Sequence, residues 1–106
     1  MNIRGLWAEL AAIGYLRKKG YRILRTHYRA NGGEIDLIGL ENGQLAFIEV
    51  KSSARLGDGA KRVDREKRRL LKKAAQGYLH QYGEQSFRFD ILEESDAGFR
   101  LIRNAF

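Results

Sequence analysis

Four charged residues lie at close intervals inside two apolar segments of the sequence. Glu34 and Asp36 belong to the segment EIDLIGL, and Glu49 and Lys51 belong to the segment QLAFIEVK. Carboxylate oxygens at such spacing suit hard divalent cations such as Mg²⁺ or Mn²⁺, which keep several waters beside a few protein ligands. These residue types therefore indicate a cation site with a lysine ammonium next to it.

The Asn42-Gly43 pair between the two segments predicts how the carboxylates face each other. Asn-Gly favours a two-residue type I′ turn, which fixes the register of a β-hairpin. In this register Asp36 lies opposite Glu49 on one face of the sheet. Glu34 lies opposite Lys51 on the same face. Two carboxylates about 5 Å apart, at an effective dielectric near 20, repel by roughly 3 kcal/mol, so the pair requires a shared proton, cationic partners or a metal.

The third strand is predicted to be covered on both faces. Glu49 shares one face with Leu45 and Phe47, and the other face is also apolar (Ala46, Ile48 and Val50). A strand that is apolar on both sides is typical of the centre of a sheet with helices on its two faces. The alternative is an ion-pair ladder at the surface, in which Glu34 pairs with Lys51 and the two other carboxylates are tolerated at a sheet end. Two-sided burial favours the metal site.

Glu9 is a third candidate carboxylate. It lies within the apolar stripe of a helix predicted for residues 3–19, in line with Leu6, Leu10 and Ile13. An acidic residue in that stripe is expected to face the sheet. The alternative is a boundary glutamate whose carboxylate reaches solvent.

Charge favours an anionic partner. The chain carries a formal net charge of +7, and residues 61–73 contain eight Lys or Arg within a helix predicted for residues 61–82. Nucleic acid is the commonest polyanionic partner of such proteins, although basic runs are also ordinary solvated faces. Lys67 falls on the inward side of the helix, from which it reaches the carboxylates or solvent. The candidate phosphate contacts are Arg25, Arg29, Lys61, Arg62, Lys67 and Arg68.

The remaining features of the sequence limit the class of protein. The 106 residues fit one domain spanning 1–106, and the absence of cysteine agrees with the reducing cytoplasm. No segment has the length of a membrane helix or the pattern of a signal peptide. Strands are predicted at 21–29, 34–40, 44–51, 87–94 and 99–103, which gives an α/β fold of order αβββαβ followed by a last strand. His27 and His80 lack metal-ligand spacing and are expected to be structural or exposed.

The order of these motifs resembles a known family. An early helical Glu9, then GGEIDLI and FIEVK, is similar to the nuclease superfamily whose signature is Asp followed by Glu-x-Lys. Over nearly the whole chain, including FRFDIL and the final NAF, the sequence more closely resembles the small bacterial YraN-like family, which is related to archaeal-type Holliday junction resolvases. One departure is Ser53, where that family commonly has a basic residue.

The resemblance implies a restriction-endonuclease-like fold with a mixed sheet. It also implies that Glu9, Asp36 and Glu49 ligate Mg²⁺ or Mn²⁺ and that Lys51 assists the attacking water. The function expected is metal-dependent hydrolysis of DNA, with branched DNA as the substrate that the resemblance suggests and a homodimer to cut two strands symmetrically. The alternative is a catalytically silent nucleic-acid-binding module or accessory subunit of the same fold.

Overall fold

One mixed sheet with helices on both faces forms the architecture. A computed structural model describes the backbone of residues 3–106 and the side chains from residue 5 onward. The elements are α1 (Ile3–Lys18), β1 (Arg22–Ala30), β2 (Gly33–Glu41), β3 (Gln44–Ser52), α2 (Asp58–Lys61), α3 (Arg65–Tyr82), β4 (Phe87–Ser95) and β5 (Gly98–Ile102). The strands follow the order β1-β2-β3-β4-β5, and only the β3–β4 pair is parallel. The predicted α/β class is confirmed, and the arrangement is compatible with a restriction-endonuclease-like fold.

Each face of the sheet carries its own apolar layer. Phe47 of β3 packs with Leu71 and Tyr78 of α3 on one face. Ile48, the next residue along β3, packs with Leu16 of α1 on the other face. Phe47 is 1% exposed and Ile48 is not exposed at all, which confirms that β3 is a central strand. Residue alternation along β3 thus puts Glu49 on the α3 face.

Two turns of the same kind set the register of β1, β2 and β3. Asn42-Gly43 has φ of 51° and 77°, the left-handed pair that a type I′ turn requires, and β2 pairs with β3 from Glu41–Gln44 to Leu37–Ile48 as predicted. Asn31-Gly32 has φ of 53° and 81° and joins β1 to β2 in the same way, with Ala30 paired to Gly33.

Close backbone approach holds α3 against this meander. A Cβ added to Gly33 would lie 2.2 Å from the carbonyl oxygen of Leu70. A Cβ added to Gly77 would lie 2.5 Å from the Cβ of Ala30. Neither position has room for a side chain, because real Cβ contacts do not fall below about 3 Å. These two glycines place α3 directly over the start of β2.

The predicted helix 61–82 is wrong in its first turn. The chain forms the short α2, breaks at residues 62–64, and starts α3 at Arg65. Asp64 caps α3, because its carboxylate accepts from the amide of Lys67 at 2.9 Å. The segment before α3 contains α2 (Asp58–Lys61). The buried Glu93 holds it by accepting from the amides of Gly57 at 2.8 Å and Ala60 at 2.7 Å.

The predicted apolar face of α1 is also partly wrong. Leu6 and Leu10 are 44% and 50% exposed, whereas Ala12 and Leu16 are fully buried. The apolar residues of α1 surround much of the helix, so their spacing alone does not select the face that packs. Among the described residues, no helix combines the length and apolar character needed to cross a membrane.

Candidate metal centre and its surroundings

The site forms where the β2–β3 ladder opens. Regular pairing ends at Leu37–Ile48, and the predicted Cα pairs Asp36–Glu49 and Glu34–Lys51 do not continue it. The Asp36 carboxylate instead accepts from the amide of Val50 at 2.9 Å. A side-chain oxygen thus occupies the place of a β2 backbone carbonyl.

A change of face in β2 explains the opening. Ile35 packs in the α3 layer and Leu37 in the α1 layer, although residues two apart on a regular strand share a face. Opposite them on β1, Tyr28 pairs with Ile35 and Thr26 pairs with Leu37. His27 therefore faces Asp36 across the ladder. The face changes at this pair, where His27 has a left-handed φ of 52°, which is uncommon for a residue with a side chain.

Glu49 is the most buried acidic group of the centre. It is 3% exposed, and its Oε2 has no hydrogen-bond donor. Its Oε1 lies 3.6 Å from Lys67 Nζ and 4.0 Å from Lys51 Nζ. Burial is the largest cause that raises the pKa of Glu49, to about 7, and the adjacent Asp36 charge raises it further against the two ammonium groups. The predicted cross-strand pair of Asp36 and Glu49 does not form, but the charge of Asp36 still acts on Glu49.

The charges of Asp36 and Glu49 disfavour each other. Both carboxylates are acceptors, and the charge of Asp36 helps to raise the pKa of Glu49, whose Oε2 has no hydrogen-bond donor. A buried acceptor without a donor is costly unless it is protonated or bound to an ion. Hard oxygen atoms of this kind suit Mg²⁺ or Mn²⁺, so the residues fit the metal that the resemblance implies.

A histidine links two further carboxylates to this pair. His27 Nε2 lies 3.0 Å from Glu9 Oε1, and His27 Nδ1 lies 3.1 Å from Glu34 Oε1. Hydrogen bonding to Glu9 and then to Glu34 raises the pKa of His27, against the opposing effect of burial. Glu9 therefore faces the sheet as predicted, and its side chain is only 20% exposed. The contact it makes is with His27.

A cavity of about 240 Å³ lies between α1 and the sheet at this point. Glu9, His27 and Asp36 line it together with small residues of α1 and the end of β3. The volume corresponds to roughly eight waters at about 30 Å³ each. A hydrated ion and part of a phosphate therefore have room beside the carboxylates.

Sequence reasoning missed the roles of His27 and Glu34. His27 is exposed, as predicted, and one of its ring nitrogens lies within 4.8 Å of a carboxylate oxygen of each of Glu34 and Asp36. The expected partner of Glu34 was Lys51, whereas the structure pairs Glu34 with His27 and, at 3.6 Å, with Arg29. Asn31-Gly32 was the available signal. If Asn31-Gly32 is taken as a type I′ turn, like Asn42-Gly43, Ala30 pairs with Gly33 and the register places His27 opposite Asp36.

Comparison with known proteins identifies the family. The model of the uncharacterised protein family UPF0102 matches residues 8–93, which include all of the carboxylates above. The chain belongs to this family. A UPF0102 protein of Persephonella marina is 38% identical, over 98% of this chain and 93% of the relative. One from Lachnoclostridium phytofermentans is 37% identical over 99% and 93%, and one from Desulfosudis oleivorans is 39% identical over 96% and 88%.

The basic residues of this UPF0102 chain fall into two groups. Arg29 and Lys61 keep side chains that are 79% and 80% exposed, and Arg62 is exposed while it donates to the carbonyl of Ser52. The other candidates each have a partner within the fold, although Arg25 is itself exposed. Lys67 lies against Glu49; Arg25 donates to the hydroxyl of Tyr82 at 2.5 Å, and Arg68 donates to the carbonyl of Val63 at 2.9 Å.

Proposed function

We propose that this UPF0102 protein is a metal-dependent endonuclease that hydrolyses phosphodiester bonds in DNA. The single observation that carries the proposal is the buried Glu49 carboxylate, whose Oε2 has no donor and which lies against Asp36. Such a pair is expensive in a metal-free fold. A divalent cation bound at this point would compensate the charges of both carboxylates.

Asp36 and Glu49 are the residues proposed to hold the ion, and Glu9 is the third carboxylate, since it lines the same cavity as Asp36. When bound, Mg²⁺ or Mn²⁺ polarises a phosphate oxygen and makes a bound water more acidic. The amide of Val50 fixes the Asp36 carboxylate at 2.9 Å. A ligand fixed in this way needs no reorganisation when the ion binds.

Two ammonium groups complete the proposed chemistry. Lys51 and Lys67 approach the same oxygen, Glu49 Oε1, from β3 and from α3. Once an ion compensates Glu49, Lys51 is available to stabilise the negative charge that develops on the phosphate in the transition state. Lys67, which we first predicted as a DNA contact, is better placed to neutralise Glu49. Through this contact Lys67 links α3 to the site.

The exposed cations define the proposed DNA surface. Arg29 lies on β1 beside Glu34, and Lys61 and Arg62 lie on the segment that follows β3. Phosphate contacts of this kind set affinity and its salt dependence, and they carry no sequence information. The family resemblance suggests branched DNA as the substrate and a homodimer as the active form.

Cleavage assays with matched variants test this function. Four-way junction, duplex and single-stranded DNA are incubated with Mg²⁺, with Mn²⁺ or with EDTA. We expect metal-dependent cleavage that falls below detection in Asp36→Asn and is unchanged in Asp96→Asn, which alters an exposed aspartate in the turn before β5. DNA binding without cleavage of any of the three substrates would instead support the silent binding module.

A further inference from the structure

A second cavity adjoins the cavity of the candidate metal centre along α1. Its volume is about 650 Å³, within the range of about 300–1,000 Å³ that is usual for small-ligand sites. Gly5, Ala8 and Ser52 line both cavities, whereas Trp7 of α1 and Glu94 of β4 line only the second. Because the two cavities share part of their lining, a molecule bound at the carboxylates of the first can extend into the second.

Trp7 supplies an exposed aromatic ring to the second cavity. It is 66% exposed, although tryptophan is on average a well-buried residue of folded domains. Leu6 and Leu10 of the same helix are also exposed, but they line neither cavity. An indole ring offers a flat face of the kind on which bases stack in proteins that bind single-stranded nucleic acid. Its place beside the metal centre therefore suits a contact with a nucleobase.

Glu94 gives the second cavity an acceptor that lacks a donor. Its Oε2 is buried and has no hydrogen-bond partner among the described residues, and burial raises the pKa of this carboxyl. A buried acceptor without a partner is costly, and a ligand that donates a hydrogen bond to the carboxylate would offset that cost. The amino groups of adenine, cytosine and guanine are donors of this kind, and thymine has no such group.

Arg62 lies beside Ser52, the β3 residue that lines both cavities. Its guanidinium donates to the carbonyl oxygen of Ser52, and the residue is exposed. Arginine contacts with phosphate position a strand without reading its sequence. A strand whose phosphate lies at Asp36 and Glu49 would thus pass a cation on its way to Trp7.

We propose that the second cavity holds an unpaired nucleobase of the DNA substrate, stacked on Trp7 and hydrogen-bonded to Glu94. This inference rests on the proposed function and deepens it, because a base inside a duplex reaches such a cavity only by leaving its stack. The preferred substrate is then DNA with an unpaired nucleotide beside the scissile phosphate, such as a single strand or the arm of a fork. Bases that carry an amino group are preferred to thymine in the cavity.

Fluorescence of the wild-type protein tests the inference, because Trp7 is the only tryptophan of the chain. Ca²⁺ replaces Mg²⁺ as the ion at the oxygen ligands. Four DNA molecules of 12 nucleotides per strand are titrated: alternating dA-dC, dT, an abasic strand with the same phosphates, and a duplex. We expect both base-containing single strands to quench the fluorescence, with dA-dC bound about 5–10-fold more tightly than dT. The abasic strand and the duplex should leave the fluorescence unchanged.

Matched variants separate the ring from the carboxylate. Anisotropy of labelled DNA gives their affinities. Trp7→Ala should weaken binding of the single strands about 5–100-fold, and Trp7→Phe should recover most of it. Leu10→Ala, an exposed change on the same helix, should leave the affinity unchanged. Glu94→Gln, whose amide both donates and accepts, should abolish the preference for dA-dC over dT.

The contrary results are distinct. Equal quenching by the abasic strand and by dA-dC overturns the base site even where a variant fails to fold, and Mg²⁺-dependent cleavage of DNA would leave the proposed function standing. Quenching as expected, with no cleavage under any metal, supports the base site and assigns it to the silent binding module. A fluorescence change on concentrating the protein alone, with no response to DNA, assigns Trp7 to a contact between two copies and overturns the inference.

Discussion

Glu49 links metal binding to fold stability through its pKa. Burial, and next the charge of Asp36, raises that pKa to about 7 from the ordinary 4.5. A folded-state pKa above the unfolded one means that the proton on Glu49 stabilises the fold fully below pH 4.5, and that this stabilisation is lost as the pH rises to about 7. At about 1.4 kcal/mol per pH unit, the metal-free protein loses on the order of 3 kcal/mol of unfolding free energy across the interval.

Glu49→Gln isolates this effect. The glutamine amide donates to Asp36 as the protonated carboxyl does, and it carries no charge at any pH. In EDTA at pH 8 we expect the variant to exceed the wild type by about 3 kcal/mol, or roughly 10–20 °C in Tm. Excess Mn²⁺ should reverse the order, because only the wild type offers two carboxylates to the ion.

Urea titrations at several pH values between 4.5 and 8, in EDTA and with Mn²⁺, measure the difference. The raised pKa of His27 also makes stability fall as the pH rises, so the quantity to compare is the slope of the variant against that of the wild type. Glu84→Gln, an exposed change beyond α3, serves as the control. Equal slopes, or a variant less stable than the wild type at pH 8 in EDTA, would refute the reasoning.

Three further changes test the surroundings of the site. Lys51→Met should lower the cleavage rate about 10²–10³-fold while Mn²⁺ affinity changes only a few-fold, and an unchanged rate would remove Lys51 from the proposed chemistry. Gly33→Ala should cost about 1–3 kcal/mol in urea unfolding, because its Cβ would lie 2.2 Å from the carbonyl oxygen of Leu70; a neutral result contradicts the close packing of α3. Glu93→Gln should open the α2 segment by about 1–3 kcal/mol and speed trypsin cleavage after Lys61, whereas cleavage at the wild-type rate would show that Glu93 does not hold α2.

The Asn-Gly turn and the apolar pattern of β3 allowed the central part of the sheet to be predicted from the sequence. Asn42-Gly43 fixed the β2–β3 register through five residue pairs, because a type I′ turn leaves no freedom of register. Apolar residues on both faces of β3 correctly indicated a central strand. Glu9 does face the sheet through His27, but the stripe used to predict it was partly wrong, because Leu6 and Leu10 are about half exposed.

Long-range contacts explain what the sequence did not reveal. The α2 helix has four residues and owes its position to Glu93, more than thirty residues away along the chain. Burial raises the pKa of Glu93, but the amide of Ala60, the guanidinium of Arg100 and the amide of Gly57 outweigh it and lower that pKa. No local sequence pattern indicates this contact with Glu93. The basic segment predicted as one helix, residues 61–82, therefore spans the end of α2, a break and α3.

The face change at His27 and Asp36 shows why regular alternation fails where the site lies. In an unbroken ladder, a carbonyl of β2 would accept from the amide of Val50, and the Asp36 side chain would stand on one face of the sheet. Here the Asp36 carboxylate takes that hydrogen bond, so it lies between the strands, in contact with Glu49 and open to the cavity of α1. Local geometry that departs from the regular pattern is most often retained where it serves a function. The departure from regular pairing thus gives Asp36 access to both groups of carboxylates.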